Sequence, residues 1–308
     1  MPYTDYINND YPPREVYRIL ANWENNPENL WLAKYTGEQV FVCTQTSSDR
    51  KYSKESFADF RNKIYSEAVA HSRLPHWGNT GNLPDGRRGK PVSDAGIIEM
   101  QLQKAVSNSH DTAFLGSIGF TGPIKEWEAI LHKIAFEERG AGNSKDNHNN
   151  LYLETISKYG ITLLPIENYA DDGRLKDFAF CDAALQLAIG RHPKHFMPEI
   201  LGMAFALEWT GSPSAFRSKK LLKSRGLDTS FYDVHIVSDN PYKGHGRDIV
   251  RAIELYLDDV RETLGEEAMQ YRWRRIHQCY HTWMVIDSYF EIQLIEHLLV
   301  FENTNTAA

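Results

Sequence analysis

Apolar residues recur at helical spacing through most of the chain beyond residue 93. Within 121–139, Trp127, Leu131 and Ile134 follow one another at intervals of four and three residues, so they share one face of an amphipathic helix. The same pattern predicts further helices at 13–23, 54–70, 94–108, 146–160, 174–190, 198–209, 214–225, 229–239, 245–262 and 264–301.

Residues that favour or end helices support these boundaries. Ser93 can cap the helix that follows it, and Pro198 stands in a first turn, where its missing N–H costs nothing. Glycines at 140 and 142 predict one helix end, and Gly-Ser-Pro at 211–213 predicts another. The segment 39–43 has the composition of a strand, and 73–92 is rich in Gly and Pro and is interpreted as a loop.

The fold class that follows is all-α. We predict one helical domain over 93–308, with an N-terminal extension, 1–92, packed on the bundle.

Composition and charge exclude several classes of function. The 308 residues are 42% apolar, and a net charge of −7 with a pI near 6.0 does not suggest nucleic-acid binding. No run approaches the ~18 apolar residues of a membrane span, and the first residues lack a signal-peptide pattern. The three cysteines are few, odd in number and far apart, which argues against disulfides and for a reducing cytoplasm.

Carboxylates and imidazoles on apolar helices are the candidates for chemistry, because a buried charge is costly unless it is paired or bound to a metal. Glu138 lies on the face of Trp127 and Ile134, and His148 follows it after a turn that brings two helix ends together. On spacing alone, a fraying helix end and a surface histidine remain the alternative.

Two glutamates lie in the apolar helix at 198–209. About 100° of rotation per residue places Glu199 and Glu208 on opposite faces, so a straight helix aims only one of them at a given site. Glu199 lies in the first turn, where a carboxylate favours the helix dipole. Glu208 has no such explanation and is the preferred metal ligand; the alternative is a helix-end glutamate paired with a nearby base.

The segment from His235 to His245 is the richest in metal-binding side chains. His235 and Asp239 share one helical face, whereas His245 would point elsewhere on an unbroken helix. Pro241 and Gly244 predict a break that returns His245 to the same centre, and a distorted segment in the absence of metal. Imidazole and carboxylate together suit iron, manganese or zinc, and solvated histidines at a loop are the alternative.

A second histidine pair, His277 and His281, lies four residues apart in the last helix. That helix is dense in Trp and Tyr and lacks the glutamate of a His-Glu-x-x-His site, so we interpret both as core histidines. The sequence contains no nucleophile elbow, Gly-rich phosphate loop or Cys-x-x-Cys pair.

Four motifs, in this order, resemble those of the heme-oxygenase-like diiron oxidases and oxygenases, also called iron-containing redox enzymes. They are Phe136-Glu-Glu-Arg-Gly-Ala-Gly with Asn147-His148, then Pro198-Glu-Ile-Leu-Gly, then His235-Ile-Val-Ser-Asp239-Asn through Gly244-His245, and finally Tyr256-Leu-Asp. The resemblance covers about 93–300 and rests on the order and spacing of the four together.

The resemblance implies a heme-oxygenase-like helical bundle that binds no heme and holds two iron ions between its central helices. Carried over residue by residue, the implied ligands are Glu138, His148, Glu208, His235, Asp239 and His245. The resemblance implies one more ligand from the first core helix, and we choose Glu99 for that position. Many members place the last histidine three residues after the aspartate, where this chain has Tyr242.

The resemblance also implies O₂ as cosubstrate and the oxidation of a small amine, amino acid or fatty acid by N-oxygenation, desaturation or oxidative C–C cleavage. We favour an amino-acid-like substrate, because Arg247 and Arg251 follow His245 on one helix and could clamp a carboxylate. Tyr242 is a further candidate contact, and a solvated helix face is the alternative for both arginines. Aromatic residues of the last helix are expected to wall the pocket: Trp273, Tyr280, Trp283 and Tyr289.

The expected partners are therefore a small-molecule substrate and O₂, with an external electron donor and a homodimer left open, and with no nucleic acid or membrane. Two rival classes remain. One is a metal-free helical enzyme of the thiaminase or quinone-cofactor type, and the other is a non-catalytic iron-binding protein.

Overall fold

The computed structural model describes residues 12–22, 24, 27–44, 55–73, 81–84, 89–119 and 123–305, and this part of the chain is all-α, as predicted. Its helices are α1 Pro13–Ala21, α2 Leu30–Thr44, α3 Phe57–Arg73, α4 Asp94–Asn108, α5 Glu126–Glu138, α6 His148–Ser157, α7 Cys181–Gly190, α8 Met197–Ala204, α9 Thr210–Ser224, α10 Ser230–Ser238, α11 His245–Leu264 and α12 Glu266–Asn305. Short 3₁₀ segments lie at Pro27–Asn29, Ala113–Leu115, Ser144–Asp146, Ile166–Asp171 and Asp177–Phe180.

The region predicted as a loop at 73–92 contains the two β-strands found in the described part of the chain. Two strands, β1 Asn82–Leu83 and β2 Lys90–Pro91, pair in antiparallel fashion. The remainder of that region, at 74–80 and 85–88, lies outside the described residues, as do the first eleven residues that the signal-peptide argument concerned.

The strand predicted at 39–43 was wrong, because this segment lies inside α2. The buried positions of α2 are spaced three and four residues apart rather than two, which is the period of a helix that packs along one face. They are Leu32, Ala33, Thr36, Gly37, Val40, Phe41 and Thr44. The apolar run that resembled a strand is thus the end of a longer helical pattern.

The helix end predicted at 211–213 was also wrong. After α8 the chain continues through a π-helical segment, Phe205–Trp209, directly into α9, and Pro213 lies inside α9. A proline ring inside a helix clashes with the carbonyl four residues earlier, here that of Trp209. The wider π turn ends at Trp209 and accommodates the ring, so the helix continues past Pro213.

Two hydrophobic clusters fill the bundle. One joins α2, α3 and α5 to α8, α11 and most of α12, and the other joins α1, α4, α6, α9 and α10 to the end of α12. Since α12 has 40 residues, it spans about 60 Å and contributes to both. Side chains of α1, α2 and α3 belong to these clusters, while the domain boundary at 92/93 stays a prediction.

A buried ion pair ties α8 to α12. The Arg275 guanidinium donates to both carboxylate oxygens of Glu199 at 2.6 Å, and both side chains are largely buried. Gly202 allows this close approach, because a Cβ there would lie 2.4 Å from the carbonyl oxygen of Ile276. Glu199 therefore serves as the buried partner of Arg275, on a different side of the helix from Glu208.

Replacement of Arg275 by Ala is expected to destabilise the protein by about 3–5 kcal/mol, because it leaves the Glu199 carboxylate buried without a partner. Arg261→Ala is the matched control. It removes a more exposed guanidinium that pairs with Asp258 and Glu266, and we expect a loss below about 1 kcal/mol. Urea unfolding of both variants measures the difference, and equal losses would contradict a structural role for the Glu199 pair.

Two further expectations are tested by the described residues. None of the helices in this part of the chain is both long and apolar enough to cross a membrane. The three cysteines, Cys43, Cys181 and Cys279, are free, in agreement with the argument against disulfides.

Candidate metal centre

Seven buried or half-buried side chains form two groups of four, and one carboxylate belongs to both groups. In each group the candidate ligand atoms all lie within 4.8 Å of one another. The first cluster contains Asp111, Glu138, His148 and His235, and the second cluster contains Glu138, Glu208, Asp239 and His245. Glu138 is the shared member.

The turn between α5 and α6 brings Glu138 to His148. Gly140 ends α5 with a left-handed φ of 83°, and a Cβ there would lie 2.1 Å from the carbonyl oxygen of Asn143. This turn therefore requires glycine. Asn147 then caps α6 by accepting from the N–H of Asn150 at 2.9 Å, so His148 is the first helical residue and its Nδ1 contacts Glu138 Oε2.

The π-helical segment at Phe205–Trp209 carries Glu208. Its side chain is 3% exposed, and its Oε2 lies 3.4 Å from Nδ1 of His245. Glu208 was the predicted ligand, because the two glutamates face different sides of the helix and the helix dipole already explains Glu199. The structure places only Glu208 at the centre, at a type of helix irregularity that recurs in functional sites.

The break predicted between Asp239 and His245 is present. α10 ends at Ser238 with Asp239 as its C-cap, and α11 begins at His245. At Gly244 the chain returns so closely that a Cβ would lie 2.0 Å from the carbonyl oxygen of Ser238. This return places Nδ1 of His245 at 2.8 Å from Glu138 Oε1.

His235 and Asp239 were expected at one centre with His245, but they belong to different clusters, and His245 joins Asp239 in the second. The His235 Nδ1–H donates to the carbonyl oxygen of Phe231 at 2.8 Å, which leaves Nε2 directed at the first cluster. His245 has the opposite arrangement: its Nε2–H donates to Glu137 Oε2 at 3.0 Å and its Nδ1 faces the second cluster. Outer hydrogen bonds thus orient both imidazoles.

Asp111 was not among the predicted ligands, yet its Oδ2 lies 2.9 Å from Nε2 of His235. Asp111 lies just beyond the C-terminus of α4, where a carboxylate opposes the helix dipole unless it has a partner. That unfavourable position was the available signal. Glu99, the residue chosen from this helix, lies outside both clusters and accepts from His297 Nε2 at 2.7 Å and from Gln103 Nε2 at 2.8 Å.

His277 and His281 contact each other, with Nε2 atoms 3.3 Å apart, and His277 packs against the ring of Phe60. Burial, followed by the neighbouring His281, lowers the pKa of His277 to about 3, so it is neutral. Neither histidine belongs to a metal-binding group among the described residues, in line with the interpretation of core histidines.

The protonation of the two clusters reflects crowded carboxylates. Burial lowers the pKa of His245, but contacts with Glu138 and Glu208 outweigh it and raise the pKa to about 11. Burial also lowers the pKa of His235, but Asp111 and Asp239 raise it to about 10. Protonated histidines therefore balance part of the carboxylate charge.

The carboxylic acids respond in two ways. Burial raises the pKa of Glu138, but contacts with His148 and His245 reverse this and lower it to about 2. Burial raises the pKa of Glu208, and burial together with Glu208 raises that of Asp239 well above its ordinary value. Burial and mutual repulsion thus disfavour the charged forms of Glu208 and Asp239.

A pair of divalent cations fits this donor set. The four carboxylates carry a formal charge of −4 when ionised, and the three imidazoles complete a mixed nitrogen and oxygen set that suits iron. Both oxygens of Glu138 and the Nδ1 atoms of His148 and His245 are buried and have no well-directed hydrogen bond among the described residues, despite their short separations. Buried ligand atoms that approach one another without bonding are expected of a metal site.

Metal uptake is expected to release protons and to strengthen as the pH rises. His235 and His245 hold protons at neutral pH, and each must lose one to bind a metal through the nitrogen that faces its cluster. Calorimetric titration of Fe(II) in buffers of different ionisation enthalpy measures the proton count. An affinity that is constant between about pH 6 and pH 8 would contradict this assignment. His297→Asn, remote from both clusters, is the control that should leave the count unchanged.

A cavity of about 710 Å³ reaches both clusters and is lined by Asp111, Glu138, Glu208, His235 and Asp239 among others. This volume suits a small organic molecule. Of the aromatic residues expected to wall the pocket, Tyr280 and Trp283 line it.

The three residues proposed as substrate contacts lie elsewhere. Arg247 donates to Asp248 Oδ1 at 2.9 Å, and Arg251 lies 3.6 Å from Glu126 at the surface. Tyr242 is 78% exposed. None of the three lines the cavity. The face of α11 that carries the two arginines points to solvent, and Tyr242 lies in the exposed turn before that helix.

Comparison with known proteins agrees with this geometry. A family model described as iron-containing redox enzyme matches residues 99–280, which is more than half of the chain and includes every member of both clusters. No protein with a curated description matches the sequence. The chain therefore belongs to the iron-containing redox enzymes of the heme-oxygenase-like superfamily.

Proposed function

We propose that this protein is a non-heme diiron oxidase or oxygenase that uses O₂ to oxidise a small amino-acid-like or amine substrate. The observation that carries the proposal is Glu138, a buried carboxylate common to two four-residue clusters. A carboxylate in that position can bridge two metal ions, whereas a site for one ion would need only one of the clusters.

The first iron would be held by Asp111, Glu138, His148 and His235, and the second by Glu138, Glu208, Asp239 and His245. When bound, the two irons supply the electrons and the Lewis acidity that O₂ activation requires. Glu137 keeps His245 in the tautomer that presents Nδ1, and the Phe231 carbonyl does the corresponding work for His235.

The cavity determines what is oxidised. It brings a substrate next to the carboxylates and His235, and its walls beside them include Ala206, Leu207 and Phe231, which exclude water from the reacting atoms. O₂ takes up four electrons on full reduction, so a two-electron oxidation of the substrate leaves two for an external donor. The outcome that we propose is N-oxygenation, desaturation or oxidative C–C cleavage, in a cytoplasmic protein that can form a homodimer.

Anaerobic loading with Fe(II), followed by rapid mixing with O₂, tests the proposal. We expect two iron ions per chain and a transient absorbance after mixing, whose decay accelerates with the substrate. A protein that holds no iron would favour the metal-free thiaminase or quinone-cofactor type. A protein that binds iron but gives no transient with any amino acid, amine or fatty acid would favour iron binding without catalysis.

A further inference from the structure

The cavity at the candidate metal centre has two cations in its wall. Its inner end is formed by members of the two clusters, and its mouth includes exposed residues at 67, 70, 214, 284, 287 and 288. Between them, Lys104 of α4 and Arg217 of α9 line the cavity, and both are half-buried.

Neither cation has a direct partner in the part of the chain that the structure describes. Lys104 and Arg217 form no hydrogen bond or ion pair with another described residue. Other cations around the site are paired, for example Lys133 with Asp248 and Arg61 with Glu254. Two unpaired cations on facing helices are costly unless an anion joins them.

The charges around Lys104 also indicate a site for an anion. Burial lowers its pKa, Asp287 and Glu291 of α12 raise it, and Arg217 lowers it. The two carboxylates also line the cavity and have contacts of their own, so they favour the charged form of Lys104 without closing an ion pair with it. Lys104 and Arg217 are close enough to repel each other, and an anion between them would relieve that repulsion.

Both cations lie on helices that lead toward members of the clusters. Lys104 precedes Asp111 by seven residues across the end of α4, and Arg217 follows Gly211, which packs against Asp239, by six residues or about 9 Å of helix rise. An anionic group held between them would leave room for a short chain that reaches the clusters. That length suits the side chain of an amino acid.

The wall beside Lys104 is polar. Asp182 lines the cavity, is 8% exposed, and accepts from Gln186 Nε2 at 3.1 Å and from the Ser107 hydroxyl. Burial raises the pKa of Asp182 to about 7, and the donors that contact it in the described part of the chain, Ser107 and Gln186, are neutral. A substrate ammonium group would supply a cation, whereas an alkyl chain would leave this carboxyl without compensation.

We propose that Lys104 and Arg217 bind the carboxylate of an α-amino acid and that Asp182 binds its ammonium group, so that the side chain points at the metal centre. The proposal rests on the proposed function for its chemistry, but binding itself needs no iron. It assigns recognition to α4, α7 and α9 in place of the arginines of α11.

Calorimetry on the metal-free protein tests the proposal with a panel of the proteinogenic L-amino acids. Each amino acid that binds is compared with its methyl ester and with the amine that lacks its carboxylate. We expect both analogues to bind at least about tenfold more weakly, since each leaves Lys104 and Arg217 unpaired. Analogues that bind equally well, a panel in which no amino acid binds, or binding of long-chain fatty acids alone would each overturn the proposal.

Substitutions at Lys104 and Arg217 test whether these two residues bind the carboxylate. Lys104→Met and Arg217→Met keep the side-chain volume and should each weaken amino-acid binding at least about tenfold, while Lys104→Arg should retain it. Lys219→Met is the matched control on α9, because Lys219 pairs with Asp233 outside the cavity. Unchanged affinity in both Met variants would overturn the assignment.

Asp182→Asn separates the two ends of the ligand. It should weaken binding of amino acids but not of the carboxylic acids that lack the amino group, and equal effects on both would contradict the ammonium contact. Iron content distinguishes this inference from the proposed function. The cavity variants should load iron like the parent protein. A parent protein that binds amino acids but takes up no iron on anaerobic loading would refute only the diiron proposal, and one that takes up iron but binds no amino acid would refute only this inference.

Discussion

Replacement of Glu138 by Gln is expected to remove iron from both positions at once. The amide keeps the volume of the side chain but loses the negative charge that two cations would share. Iron content after anaerobic loading should fall from two ions per chain to none, and turnover should fall to background. Far-UV circular dichroism should remain that of the parent protein, since Gln keeps the volume of this buried side chain and Glu138 is the last residue of α5.

Two variants distinguish a shared ligand from an ordinary one. Asp111 belongs only to the first cluster and Glu208 only to the second, so Asp111→Asn and Glu208→Gln should each retain one iron. Glu296→Gln, on α12 away from both clusters, should retain two. One iron in Glu138→Gln, or none in both single-cluster variants, would contradict the bridging position.

Replacement of Gly211 by Ala is expected to empty the second cluster without unfolding the protein. Helix propensity alone favours Ala by about 1 kcal/mol inside α9. A Cβ at this position, however, would lie 2.1 Å from Oδ2 of Asp239, and the backbone of α9 cannot move away easily because it continues from the π segment. The carboxylate must therefore shift, and we expect iron content to fall to one ion per chain.

Gly173→Ala is the matched control, because nothing lies within 4 Å of the Cβ that it adds. A double variant tests the cause. Asp239→Ala removes the atom that Gly211→Ala would meet, so adding Gly211→Ala to it should cost no further stability in urea, whereas Gly211→Ala alone should cost about 1–3 kcal/mol. Additive costs would show that the clash lies elsewhere.

Most of the helices could be predicted because their buried residues repeat at helical spacing, as in α4 and α11. The errors occurred where local composition and tertiary context disagree. The segment at 39–43 has strand composition, yet its Val40 and Phe41 continue a helical stripe. Pro213 predicts a helix end, yet a wider turn just before it relieves the steric conflict.

The ligands of the candidate site also fall into those that the sequence could predict and those that it could not. Glu138, Glu208 and His235 could be identified because each is a polar residue on an apolar helix. Asp111 lies in a turn, where aspartate is common, and only the fold brings it to His235. Glu99 has the expected helical neighbours, but its partner is His297 of α12, nearly two hundred positions later, which no local pattern reveals.

The membership of Glu138 in both clusters could not be predicted either. It depends on distances among α5, α6, α10 and α11, the π segment, the turn after α4 and the C-cap of α10. The residues that line the cavity could not be predicted for the same reason. Arg247 and Arg251 are close to His245 in sequence but lie outside the cavity, whereas Lys104 and Arg217 line it because α4 and α9 both border it.

The π segment at Phe205–Trp209 has a consequence for how the protein can vary. Its hydrogen bonds span one residue more than those of an α-helix, and one residue corresponds to about 100° of rotation. It therefore sets the rotation of α9 relative to α8. α8 is held against α12 at Gly202, and α9 carries Gly211 and Arg217. A one-residue deletion here would turn Glu208 and the cavity wall together. Relatives that differ in length at this turn should differ in metal ligation and in ligand preference as a single evolutionary step.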